Sequence, residues 1–448
     1  MGLKSSLSKG LFSEGRYFIS LTNEERRYLA LDALNPAWEH QSFFSRTNYV
    51  QKHTVLFFNG NMIVKVIYEE YKTVDNVVLW KVYREYDTSL STEDRKLLLP
   101  LTSRGRKKPV IPANVLAIQP LGCELYIHLE ENHSSIGAGN LRNCQMLAIG
   151  EREKVRNIMS DDDFHAFMRY YIATCPNSYF ERIAEIRSMK HQTVKFRVGD
   201  IFRCQTDREH YTYGIILGKT REIEKWSELP AQHSFRHLLT QPIIVRMYDA
   251  VMTDANMTAE QLSKIPLRPS KLCSDADIIW GTHKIVAHKE LEPDDIQFQL
   301  HLSRQTTKNE HNTPFTSEIL KGMPNDVVRN VREPISLYVE WGFVSFEIPW
   351  TDVPDRLRQM LDDGMYYDGG VSMGISGVFC GRTLADILSE APKHMIQYNL
   401  LLPENRDKFN LVMNSLGMPD DCTYDEFAEK FGALSRDEYI QLIRARTR

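Results

Sequence analysis

The sequence predicts an α+β fold of several domains, with a mostly-β, barrel-like unit at its centre and α+β regions on both flanks. Three observations carry that expectation. Runs rich in β-branched and aromatic residues, separated by turn residues, fill the middle of the chain. An Asn-Gly pair joins two similar runs near the start. Apolar stripes at helical spacing, several opened by capping-box pairs, precede the centre and fill the end. The chain has 448 residues, enough for about two or three domains. We divide it into an N-terminal α+β region at 1–150, a helical pair at 151–193, the central β unit at 194–303, a linker at 304–330 and a C-terminal α+β region at 331–448, mainly helical at its end.

In chain order, residues 23–33 read as a short helix broken by Pro36. Residues 53–58 and 62–68 face each other across Asn59-Gly60. That pair suits a type I′ hairpin turn, whose two central residues need positive φ. Residues 77–82 and 125–127 read as further strands. Gly137-Ala138-Gly139 begins like a dinucleotide fingerprint, but Arg142 stands where the third glycine belongs, so a loop is expected. The basic run from Arg104 to Lys108 has no aromatic neighbours to stack bases and reads as a solvated loop rather than a phosphate contact.

Ser160 and Asp163 then have capping-box spacing. Phe164, Phe167, Met168 and Tyr171 form one stripe behind them, and the acidic trio Asp161, Asp162 and Asp163 suits the positive end of that helix better than a metal. Pro176 starts a second helix packed through Tyr179, Phe180, Ile183 and Ile186. In the central unit, Val198-Gly199-Asp200 is a turn and Ile201-Phe202 begin a strand. Tyr211, Tyr213, Ile215 and Leu217 alternate along the next. Ile243, Val245 and Met247 alternate along a third, with Arg246 and Tyr248 on its other face, and Trp280-Gly281 sits in a closing strand. Beyond the linker, residues 335–341 and 343–348 alternate around Gly342. Val353, Leu357, Met360 and Leu361 then give an amphipathic helix. Thr383 with Asp386, Thr423 with Glu426 and Ser435 with Glu438 have capping-box spacing. Their stripes include Phe409, Val412, Met413 and Leu416, then Phe427 with Phe431, then Tyr439 with Leu442 and Ile443.

Composition narrows the class. Hydrophobic residues are 42% and charged residues 25%, which supplies sizeable cores and excludes wholesale disorder. A net charge of -4 argues against a chain-wide nucleic-acid binder, which would be basic. The seven cysteines are scattered with no CxxC, so neither a disulfide framework nor a structural zinc site is expected, and a reducing, cytoplasmic compartment is the default. No apolar run approaches the roughly 20 residues of a membrane span. The opening MGLKSSLSKGLF lacks the apolar core of a secretory signal. Gly2 with Ser6 fits the short N-myristoylation pattern, which chance supplies often.

Tests for chemistry give little. Gly370-Val371-Ser372-Met373-Gly374 matches the nucleophile elbow, with His394 and Asp386 as the available partners, but no βαβ units surround it to hold Ser372 on a strained turn. His233 and His237 are four apart and could share a helix face toward zinc. Ser234 stands where a metalloprotease has its glutamate, so a packing pair is the preferred reading. Cys175 before Pro176 is the best-placed thiol, and a buried structural role is preferred for it. No P-loop occurs. No cofactor is expected.

The central stretch resembles the immunity protein 26 family of bacterial polymorphic toxin systems. The matching residues run from Phe196 to Phe202, from Tyr211 to Ile216, from Pro242 to Tyr248 and from Ile278 to Gly281. The resemblance covers about a quarter of the chain. It implies a mostly-β domain, encoded beside toxin genes, whose members are predicted to neutralise a toxin by binding it, and it offers no catalytic residues. The chain departs from it by the insert 219–240 and by its large flanks. The expected function is therefore stoichiometric binding of a cognate protein toxin, of nuclease class, without direct contact to nucleic acid or membrane. Anchors of the type that dominate interfaces are Tyr211, Tyr213, Arg246, Tyr248 and Trp280, each of which could instead pack inside the barrel. Lys219, Arg221, Glu222, Glu224 and Lys225, around Trp226, form a second candidate surface. A hydrolase centred on Ser372 and an interaction scaffold with no toxin are the alternatives.

Overall fold

The structure, a computed structural model, describes residues 19–306, 334–362 and 400–446, apart from 48, 75–76, 119–121, 132–133, 141–144, 148, 150–151, 190–192, 237–241 and 402. Gly2, His237, most of the linker, Ser372 with its elbow, the Thr383/Asp386 pair and His394 lie outside the described residues. The fold is α+β with large antiparallel sheets, as expected.

After a short helix, α1 (Asn23–Tyr28), nine strands build the first sheet: β1 (Glu39–Thr47), β2 (Val50–Asn59), β3 (Met62–Val74), β4 (Val77–Glu93), β5 (Leu97–Leu98), β6 (Lys108–Pro109), β7 (Cys123–Glu130), β8 (Ser135–Asn140) and β9 (Gln145–Met146). Their order is β1-β2-β3-β4-β7-β8-β9, with β5 and β6 joined to β4. The Asn-Gly hairpin forms, but Asn59 pairs with Met62, so the loop is Gly60-Asn61 and the positive φ of 60° falls on Gly60 at its first position. That is the glycine placement of a type II′ turn rather than a I′ turn. Gly137 to Gly139 is not a loop. It lies in β8, where Gly137 pairs with Tyr126 and Ala138 points into the core.

The period-two alternation gives this sheet two apolar faces. Val55, Phe57, Ile67, Tyr83, Leu125 and Ile127 face two helices, α2 (Asp161–Ala173) and α3 (Tyr179–Ser188). Ser160 and Asp163 close the capping box of α2, and Phe164, Phe167, Met168 and Tyr171 are its buried stripe. Leu56, Phe58, Val66, Tyr86 and Leu90 face the other way, against Leu98, Val110 and Val115.

One charge cluster is sealed in this first unit. Glu85 accepts from Arg26 Nε at 2.8 Å, Lys65 Nζ at 2.7 Å and the Tyr83 hydroxyl at 2.5 Å, and Lys65 also meets Asp87 at 2.6 Å. Burial pushes the Glu85 carboxyl up, but Lys65 and Arg26 outweigh it and hold it below the usual carboxylate range.

The central unit is a five-stranded antiparallel sheet of β10 (Asp200–Gln205), β11 (Tyr211–Lys219), β12 (Ile243–Met247), β13 (Lys271–Cys273) and β14 (Lys284–His288), ordered β13-β12-β11-β10-β14. It does not close into a barrel. β13, only three residues long, and β14 stand at its two edges and do not pair with each other. Residues expected as the closing strand form a helical turn instead, α4 (Ala276–Ile279), with Trp280 at its end and Gly281 at φ 74°. The run Ile278-Ile279-Trp280 suits either state. Ser274 Oγ accepts the Ala276 N–H at 3.2 Å and helps start the turn.

A third sheet follows, β15 (Leu300–Thr306), β16 (Pro334–Trp341) and β17 (Val344–Pro349), in that order. Among the described residues, helices α5 (Asp355–Asp362), α6 (Arg406–Ser415), α7 (Tyr424–Phe431) and α8 (Arg436–Arg446) follow. Thr423 caps α7 with Glu426, and Ser435 does the same for α8 with Glu438. One apolar cluster joins the second sheet, the third sheet and these helices, running from Ile201 through Leu300 and Val339 to Tyr439. No described helix is long and apolar enough to cross a membrane.

Replacing Glu85 by Gln strands the buried Arg26 and leaves Lys65 with Asp87 alone, so it is expected to cost about 3–5 kcal/mol in denaturant unfolding. The folded carboxyl titrates below its unfolded value. Its contribution is therefore present above the unfolded carboxylate pKa of about 4.3 and lost as pH falls through the folded one. The acid limb of the stability curve should flatten in Glu85→Gln. An unchanged midpoint and acid limb would show that the cluster contributes nothing net.

A candidate partner-binding face on the central sheet

The five expected anchors do not come together on one surface. Tyr213 is fully buried and donates to the Asp254 carbonyl at 2.6 Å. Tyr248 is buried in the same cluster, and burial pushes its hydroxyl up to about 12. Arg246 is 9% exposed and is spent on four carbonyls: Arg268 at 2.8 Å, Leu267 at 2.9 Å, Asp295 at 2.9 Å and Asp294 at 3.2 Å. These three are interior packing and locking groups, not free anchors. The alternation along β12 was read correctly, but both of its faces are covered and all five residues are buried. Tyr211, partly buried, opens β11 under the Arg203 guanidinium, 4.9 Å from its ring centre. Trp280 is different: it is 40% exposed.

Trp280 sits in a small patch with a definite build. The Val194 N–H donates to the Ile279 carbonyl at 2.7 Å, which lays the segment before β10 beside α4. Two residues on, the ring of Phe196 lies 4.8 Å from Lys219 Nζ at the end of β11. Asp275 is on the same side. Desolvation raises its carboxyl above the usual range, against the opposing pull of Lys219 and Arg221. An exposed indole with mixed charge on the neighbouring segments has the composition common at interfaces.

Beneath it lies a dry layer of Phe202, Cys204, Ile216, Val245, Met247, Cys273 and Ile278. His283 is buried there, its ring stacked on Phe202 at 6.1 Å. Asp277 is 3.8 Å from its Nε2. Burial lowers the imidazole below its usual value against the pull of Asp277, and lowers the Lys271 amine likewise. It pushes the Cys273 thiol up to about 12. Thiols held protonated are poor nucleophiles. No group of three or more metal-ligating side chains occurs among the described residues.

The remaining expectations resolve one by one. His233 is buried, with Nε2 2.6 Å from the Gly342 carbonyl and Nδ1 accepting the Phe235 N–H at 3.1 Å. Both nitrogens are therefore committed to the fold rather than to a metal. The insert is described from Lys219 to Arg236. It opens with one turn, Thr220–Ile223, and then buries Trp226 against Phe343 with rings 5.9 Å apart. Arg221, Glu222 and Lys225 stay exposed on its outer side. Cys175 is partly buried, and burial raises its thiol.

Residues 197–310 match the family model described as immunity protein 26. No curated protein and no solved structure matches the chain.

His283 gives a pH test of this layer. Its folded pKa is depressed, so below the unfolded value of about 6.5 the unfolded chain binds the extra proton and stability falls. The loss is expected to approach about 1.4 kcal/mol per pH unit below that value, measured by urea unfolding between pH 7.5 and 5.5. His283→Phe should remove this slope. An equal slope in both proteins would mean that His283 is not the group responsible.

Proposed function

We propose, from the match of residues 197–310 to immunity protein 26, that this protein neutralises a cognate protein toxin by stoichiometric binding. That match is the observation that carries the reading. It implies a partner toxin and a non-enzymatic role. On this reading the protein acts in the cytoplasm, needs no cofactor and touches neither nucleic acid nor membrane itself. The toxin is a nuclease, and binding covers its site.

The surface proposed for contact is the Trp280 patch. Trp280, Lys219, Arg221 and Asp275 lie inside the matched segment and Phe196 immediately before it; the indole is exposed, Lys219 reaches Phe196, and Asp275 feels Lys219 and Arg221. A rigid base suits this work, because a preformed surface loses less entropy on association. Tyr211 extends the proposed anchor set; Tyr213, Arg246 and Tyr248 serve by holding the sheet in shape. We also propose that the central unit works together with the C-terminal region, which shares its apolar cluster.

The test is a pull-down with the product of the neighbouring gene, followed by co-expression rescue of growth and of plasmid integrity. Trp280→Ala is expected to weaken the complex by about 2 kcal/mol, roughly 30-fold. Tyr213→Phe should leave affinity within about threefold, since its hydroxyl acts inside the fold. Failure of the two wild-type proteins to associate, with no rescue of growth, ends the immunity reading. Rescue of growth without plasmid protection rejects the nuclease class alone. Loss of function in Ser372→Ala with intact toxin binding would favour the hydrolase alternative.

A further inference from the structure

A cavity of about 490 Å³ lies between the strand region around Phe298 and the C-terminal helices. That volume falls in the range of sites that hold small organic ligands, about 300–1,000 Å³. Its wall is aromatic. Phe298 and Tyr424 have ring centres 4.6 Å apart, and Trp341 is 5.7 Å from Tyr424. The polar ends of these rings are already occupied. The Tyr424 hydroxyl donates to the Leu434 carbonyl at 2.8 Å and accepts the Phe343 N–H at 3.0 Å, and Trp341 Nε1 donates to the Phe298 carbonyl at 3.2 Å. The rings therefore offer the cavity apolar surface with no unmet hydrogen bond.

Two guanidinium groups stand in the same wall, and they differ. Arg436 is neutralised: its Nε donates to Asp425 at 2.7 Å, and Asp294 is 3.6 Å away. Arg406 has no carboxylate partner among the described residues. It donates one N–H to the Asp420 carbonyl at 2.9 Å and lies 5.1 Å from the centre of the Phe409 ring. These two contacts orient the fork without neutralising it. A planar guanidinium held this way matches a carboxylate or a phosphate through paired hydrogen bonds.

We propose that this cavity binds a small aromatic anion, with a planar ring against Phe298, Trp341 and Tyr424 and its carboxylate or phosphate on Arg406. The site lies away from the Trp280 patch in sequence, and the proposal stands whether or not the protein is an immunity factor. Aromatic carboxylates and nucleoside monophosphates share this chemistry. The proposal is tested by titration calorimetry on the full chain with indole-3-acetate and with AMP, and with indole and inorganic phosphate as the two halves. At least one whole anion should bind at least about 10-fold tighter than either half. Stronger binding of indole-3-acetate identifies a carboxylate ligand, and stronger binding of AMP a nucleotide. Arg406→Ala should lower anion affinity by about 10-fold or more and leave indole unchanged, with Arg406→Lys intermediate because it keeps the charge and loses the fork. Leu400→Trp, which fills the cavity, should abolish binding by all four probes. Thermal melting of each variant separates loss of the site from loss of the fold; should Arg406→Ala melt early, Arg406→Lys decides. No binding by either anion at millimolar concentration, equal binding of halves and wholes, or an Arg406 variant that binds like wild type each overturns the proposal.

Discussion

The middle of this protein depends on one buried tyrosine. Tyr439, on the last helix, is fully buried and donates its hydroxyl to the Leu217 carbonyl at 2.8 Å. Its ring sits among Trp226, Phe298 and Phe343, at 5.6, 5.1 and 5.6 Å between centres. Those three come from the insert, the run into the third sheet and the turn between its last two strands. A single side chain therefore ties four separated pieces of sequence to one face of the second sheet. Gly218 makes the approach possible, because a β-carbon there would lie 2.4 Å from the Tyr439 hydroxyl. Aromatic rings of this size each remove roughly 150–250 Å² from water. Leu262, Leu291 and Ile296 share the cover of that face with them.

This constraint explains why the family match and the structural unit have different edges. The matched segment ends at residue 310, yet the cluster that buries its sheet continues to Ile440. A five-stranded open sheet with two apolar faces needs a layer on each. One face takes the helical turn α4 with Phe196; the other takes the third sheet and the C-terminal helices. The C-terminal region is in this sense the second layer of the central unit.

Local signals were legible in the sequence and cover was not. Capping boxes at Ser160, Thr423 and Ser435 form as their spacing implies, because each is decided within four residues. The Gly60 hairpin is likewise local, though its turn type turned on which residue takes the positive φ. Strand β1 was missed because EHQSFFSRT is polar on both faces and lies at an exposed edge. Arg246 and Tyr248 alternate correctly, but alternation reports only that two faces differ, never that one is wet. The layer that buries them comes from residues far along the chain. Trp280 keeps its exposure because it ends a helical turn at the margin of the sheet. Its place at a strand end was wrong for the same reason that its exposure could be guessed: a single residue beside a glycine is punctuation, whichever element it closes.

The electrostatics under Trp280 bear on what such a face can do. Desolvation is the largest influence on Lys271, Cys273, Asp275 and His283, and each is driven toward its neutral form. Such a layer carries little charge beneath the exposed indole. Charge is then concentrated at the rim, on Lys219 and Arg221, where it can steer and orient an approaching partner. The sealed cluster around Glu85 follows a different rule, since there two cations outweigh burial and keep a carboxylate ionised. Ionised groups are thus locked by partners inside the first unit, and Arg246 is likewise held on carbonyls in the central one, while the layer beside α4 holds its own titratable groups toward their neutral forms.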